Sequence, residues 1–134
     1  MMLAAMDEGA DLSSLRAAVS AGETLPAPVY DAWLKKTKKP MLDGIGATEM
    51  LHIFISNRFD DHKAGCTGKP VTGYEAKIVD ENMKEVTIGQ VGRLAVRGPT
   101  GCRYLSDDRQ KQYVKNGWNI TGAVSYTHLT LPTN

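Results

Sequence analysis

Two short apolar runs in the first third of the chain each break at a glycine-containing loop, and this constrains the fold more than any other feature. Leu15 to Ser20 stops at Gly22 in the loop SAGETLP, and Met41 to Asp43 breaks at Gly44 and Gly46 in DGIGATEM. Between them PAPVYDAWLKKTKK opens on Pro26 and places Val29 and Trp33, and Tyr30 and Leu34, four apart. Proline in the first turn and Lys35, Lys36, Lys38 and Lys39 towards the end suit a helix and its dipole. Strand, helix, strand predicts an α/β arrangement with both loops at the carboxyl ends of neighbouring strands. A chain of 134 residues suffices for one small domain and buries roughly two-thirds of its unfolded surface.

Further along, Thr48 to His52 predicts a short helical turn and Ile53 to Ser56 a strand. Tyr74, Ala76 and Ile78 then alternate with Glu75 and Lys77, the period-2 pattern of a half-buried strand. Leu94 and Val96 alternate with Arg93 and Arg97 in the same way, and Gly98-Pro99 ends that run. Asp107 to Val114 predicts a surface helix leading to a third glycine loop, GWNITG at Gly117 to Gly122. Met1 to Glu8 has the character of a helix end. The last twelve residues, AVSYTHLTLPTN, are uncharged and lack periodicity or a capping signal. They resemble translated sequencing-adapter tails of truncated gene fragments, with a genuine C-terminal strand as the alternative, so His128 is set aside.

Composition excludes several function classes. Sixteen basic against fifteen acidic residues give a net charge of +1, which implies no nucleic-acid partner. Apolar runs fall far short of the roughly 20 residues a membrane helix needs. The first residues carry no basic stretch of the signal-peptide kind. Cys66 and Cys102 lack metal-ligand spacing and suit reduced thiols, so a cytoplasmic location is expected.

Chemistry concentrates in the glycine loops. Glycine lets backbone amides approach a flat or anionic ligand closely. Thr48 and Glu49 add a hydroxyl and a carboxylate, hard oxygen groups suited to phosphate and Mg²⁺. By itself, Gly-x-Gly before Thr-Glu is as readily a turn with a helix cap. His52, counted one helical turn beyond Thr48, would share its face; a hydrogen-bonded core histidine is the plainer alternative. His62, beside Asp60, Asp61 and Lys63, is expected to be a solvated loop residue.

Order and spacing carry more. SAGETLP, DGIGATE, GKP, GRLAVRGP and GW-x-x-TG in succession resemble the AMP-forming acyl-CoA synthetases, the adenylate-forming ligase superfamily. The resemblance covers about residues 1–122, and Asp43 to Asn82 looks most like the benzoate-CoA ligases and related aryl-CoA ligases. It implies a fragment of a large N-terminal domain: an α/β nucleotide- and acyl-binding portion over 1–60, part of a β-barrel over 61–122, and a non-native tail over 123–134. It also implies ATP, Mg²⁺, coenzyme A and an aryl carboxylate as small-molecule partners.

By the same resemblance, Ala21, Gly22 and Glu23 would lie where nucleotide and acyl carboxylate pass a strand end. Asp43 and Gly44 would approach the adenine edge, and Ile45 its face. Thr48 would donate to a phosphate oxygen and Glu49 would help hold Mg²⁺, making these two the catalytic pair. Gly46, Ala47 and His52 would border the acyl pocket. Lys69 and Arg97 could touch anionic groups but are expected at solvated strand ends, and Tyr104 resembles a structural position. Trp118 is expected in the core. Where the family places a ribose-binding aspartate after Thr121 and Gly122, this chain has Ala123. The family's phosphate loop and its adenylation lysine would lie outside this sequence. Another acyl or aryl adenylating enzyme, or a noncatalytic β-rich interaction module, remain the alternatives.

Overall fold

The structure is a computed structural model and describes residues 11–126. The helix end expected at residues 1–8, and His128, lie outside them. The chain divides into two compact units, residues 1–45 with 55–68 and residues 46–54 with 69–134.

The first unit begins with β1 (Ala18–Ala21), α1 (Ala27–Thr37) and β2 (Met41–Gly46). β1 and β2 are parallel, with Ala18 opposite Met41 and Ala21 opposite Gly44; parallel neighbours require such a crossover. Pro26 caps α1, Lys35 and Lys36 occupy its last turn, and Lys38 ends it in the left-handed region. The apolar spacing read in the sequence has its physical counterpart here. Tyr30 and Trp33 bury one face of α1 with Leu25 and Met41, and Leu15, Ala18, Leu34 and Ala64 pack around them. Asn57 closes the unit, donating its backbone N–H to the Asp43 carbonyl at 2.9 Å and its side-chain amide to the Cys66 carbonyl at 2.6 Å. His62 is not the solvated residue expected. It is part-buried, hydrogen-bonded through Nδ1 to the Tyr30 hydroxyl, with the two rings 5.9 Å apart.

β3 (Ile53–Ser56) and β4 (Lys69–Pro70) complete a sheet in the order β1-β2-β3-β4. The second unit holds a further sheet in the order β5-β6-β8-β7: β5 (Glu75–Val79), β6 (Val91–Arg97), β7 (Val114–Lys115) and β8 (Trp118–Tyr126), with α2 (Arg109–Tyr113) before β7. β5, β6, β8 and β7 pair antiparallel throughout. Alternation predicted Leu94 and Val96 inside, but Ala95 between them is buried too. Successive strand residues point to opposite faces, so both faces of β6 are covered, and Ala95 packs with Val79 and Ile120.

β2 does not break at Gly44 as expected but runs on to Gly46, with Gly44 paired to Ala21, and two further expectations need correction. GWNITG is not a loop: only Gly117 turns, and Trp118 to Gly122 lie within β8. Asn116 and Gly117 both have positive φ, 52° and 78°, between the paired residues Lys115 and Trp118. That is the Asn-Gly two-residue hairpin. Secondly, α2 is not wholly a surface helix, because Tyr113 is buried. Residues 123–126 of the supposed tail continue β8, with Val124 opposite Arg93 and Tyr126 opposite Val91; residues 127–134 lie outside the described part. Among the described residues no helix is long and apolar enough to cross a membrane.

Candidate active site

The sequence-predicted residues fall in both units, so each group is built separately. In the first unit the β1–β2 register sets Ala21 beside Gly44. Ala21 at the end of β1 and Gly22 and Glu23 just beyond it are exposed, and Gly22 has φ 96°. Asp43 is only 3% exposed. Its Oδ2 accepts the Leu25 N–H at 3.2 Å, which ties the loop after β1 to β2. Oδ1 is buried without a hydrogen-bond partner. Asp43 therefore has a bracing role that the sequence did not disclose, along with one acceptor atom left over. Gly44 is buried beside it and Ile45 is part-buried.

In the second unit the chain continues through Gly46, where a side chain cannot be accommodated. A Cβ there would sit 2.8 Å from the His52 carbonyl oxygen. Ala47 is extended and precedes a single 3₁₀ turn, Thr48–Met50. The turn stops because Leu51 adopts φ 70°, with its N–H bonded to the Thr48 carbonyl at 3.1 Å. His52 thus does not stand one α-turn beyond Thr48, and the shared helical face is corrected. Nor is it a core histidine, since it is exposed. Thr48 is exposed too.

Glu49 is part-buried, and its Oε1 accepts the Tyr104 hydroxyl at 2.9 Å. Accepting that proton favours the neutral phenol, so the Glu49 bond, with burial second, raises the Tyr104 pKa. Tyr113 meets Tyr104 edge-on at 5.8 Å, and burial, then the Glu49 charge, pushes its phenol up as well. Arg109 lies over the Tyr104 ring at 4.7 Å and pairs with Asp107 at 2.6 Å. The next residue of the turn, Met50, has its carbonyl bonded by Thr100 Oγ1 at 2.8 Å.

Other candidates are committed elsewhere. Arg97 grips Glu75 through three nitrogen–oxygen contacts, at 3.2, 2.9 and 2.7 Å. Arg97 and Lys77 lie 4.8 and 4.3 Å from the Trp118 ring centroid, so Trp118 is a part-buried platform rather than a fully enclosed core residue. Cys66 and Cys102 are free thiols. Tyr104 is the functional candidate that sequence reading placed among structural positions. Its partner lies 55 residues away, a separation that no local spacing rule spans.

Comparison with known proteins matches residues 1–104 to the AMP-binding enzyme family. The chain belongs to that family. It is 49% identical over 89 residues to the benzoate–CoA ligase of Thauera aromatica, covering 66% of this chain and 17% of that one. A long-chain-fatty-acid–CoA ligase of Escherichia coli O157:H7 is 36% identical over 118 residues, 86% of this chain and 21% of the relative. Among solved structures, an anthranilate CoA ligase in complex with anthranoyl-AMP superposes with TM-score 0.83 at 43% identity, over 89% of this chain and 23% of that one. The fold is that of part of an adenylate-forming ligase, and the chain spans about a fifth of these relatives' length.

Proposed function

We propose that this chain supplies nucleotide- and acid-binding residues to an ATP-dependent ligase that joins benzoate or a substituted benzoate to coenzyme A. The observation that carries the reading is the 49% identity to a benzoate–CoA ligase over 89 residues. In the reaction, the acid's carboxylate oxygen attacks the α-phosphorus of ATP and pyrophosphate leaves. The thiol of coenzyme A then attacks the acyl carbon of the adenylate, and AMP leaves.

Such chemistry needs charge neutralisation and in-line placement more than a protein nucleophile. Thr48, exposed on its turn, donates to a phosphate oxygen. Glu49 contributes a carboxylate whose Oε2 has no hydrogen bond among the described residues. Mg²⁺ is held by one or two carboxylates together with substrate phosphates, so this hard-oxygen pair fits it. When bound, the ion neutralises phosphate charge. The buried, unpartnered Asp43 Oδ1 offers an acceptor for an amino group of the base, while Ile45 supplies dispersion against its face. Gly46, Ala47 and His52 border the aryl acid.

The rival reading keeps the chemistry and changes the acid, on the strength of the fatty-acid relative. A panel decides between them: ATP–pyrophosphate exchange by the full-length protein with benzoate, anthranilate and palmitate. Exchange driven best by an aryl acid is expected. Exchange driven best by palmitate moves the assignment to fatty acids.

A further inference from the structure

We propose that Tyr104 is a positioning residue for Glu49, holding one carboxylate oxygen so that the other is left to a divalent cation. The inference rests on the reading of Glu49 as the Mg²⁺-binding carboxylate. The turn that carries Glu49 has only three residues, and its cap, Ala47, makes no side-chain hydrogen bond. A lone 3₁₀ turn has poor hydrogen-bond geometry and little rigidity of its own. The segment after β6 supplies what the turn lacks, at two points.

Thr100 donates to the Met50 carbonyl at 2.8 Å, and the Tyr74 hydroxyl bonds Thr100 Oγ1 at 2.7 Å. That chain fixes the backbone beside Glu49. Tyr104 fixes the carboxylate itself through the 2.9 Å bond to Oε1. Tyr104 is held in turn. Its N–H donates to Gln110 Oε1 at 2.8 Å, Tyr113 packs edge-on, and Arg109 covers the ring. All of these groups belong to the second unit. Hydrogen-bond partners of a ligating side chain set its orientation, and their loss commonly costs about 10–100-fold in metal affinity or activity. A carboxylate with Oε1 engaged keeps Oε2 as its open ligand atom.

The test uses the full-length protein and Tyr104→Phe, which removes one hydroxyl and keeps the ring for Tyr113 and Arg109. Binding of Mn²⁺·ATP is followed by electron paramagnetic resonance without acid, so that no turnover contributes. Affinity is expected to fall about tenfold. In exchange assays the Mg²⁺ needed for half-maximal rate should rise, while kcat largely recovers at saturating Mg²⁺. Glu49→Gln serves as the reference. If it loses Mn²⁺·ATP binding while Tyr104→Phe binds as wild type, the positioning role is overturned and the Glu49 assignment survives. If both bind as wild type, the Glu49 assignment itself fails and takes the proposal with it. An equal loss of affinity for ATP and acid in Tyr104→Phe, with a lower Tm, also overturns it, because that is the mark of a merely structural tyrosine.

Discussion

His52 stands at the edge of what sequence spacing can decide. The chain turns at Leu51 with φ 70°, so the side chain reaches the surface from a bend and not from the helix its spacing suggested. On the proposed reading, in which the exposed His52 borders the acid, it is expected to tune selectivity. His52→Ala in the full-length protein should change the ranking of substituted benzoates by about 1–3 kcal/mol, with little change in ATP affinity. Steady-state kinetics over a benzoate series checks this, and an equal loss for every acid and for ATP speaks against it. Asp107 offers a sharper electrostatic test. Its hydrogen bond to Arg109 holds the carboxyl below the ordinary range. A depressed folded value adds stability that is present above the unfolded pKa and is lost as pH falls through the folded one. Arg109→Ala removes the side-chain partner and keeps the backbone N–H bond to Asp107, so the Asp107 pKa should rise part-way, read by carboxyl-carbon NMR, and part of that increment of acid resistance should be lost. An unmoved titration would mean the ion pair is not formed in solution. Thr48 and Glu49 stand out as candidates in the sequence because they follow glycines in a short motif. The Glu49–Tyr104 bond was not, since it depends on β6 and the segment after it folding back to the turn.

Among the elements, α1 and β3 were legible because each carries a local signal: proline and lysines at the helix ends, and an unbroken apolar run in the strand. β8 was misread. Its glycine-containing sequence suggested a loop, whereas the informative signal was Asn116-Gly117, a hairpin turn between Lys115 and Trp118. Burial of Ala95 was also beyond the period-2 pattern, because it reflects cover on both faces of β6. The GKP motif now has a steric reason. Gly68 has φ 89°, and a Cβ there would meet the Ser56 carbonyl oxygen at 2.1 Å. Gly68→Ala must therefore shift backbone and adopt a strained conformation, costing more than about 1 kcal/mol. Chemical denaturation of the full-length protein measures it. A variant as stable as wild type would show that this approach relaxes freely.

The first unit presents the exposed end of β1, and the second presents a Thr-Glu turn braced by Thr100 and Tyr104. Large apolar side chains such as Ile88 and Leu105 are 87% and 88% exposed, and the chain spans only 17–23% of the relatives compared above. The central claim belongs to the full-length protein: Glu49 serves aryl-acid adenylation. The most direct measurement is benzoate-dependent ATP–pyrophosphate exchange, wild type against Glu49→Gln at equal Tm. Loss of one transition-state electrostatic contact costs on the order of 10²-fold, so exchange should require benzoate or a close analogue and fall by about that factor in the variant. Undiminished exchange in Glu49→Gln, or no exchange with any aryl acid, would contradict the account.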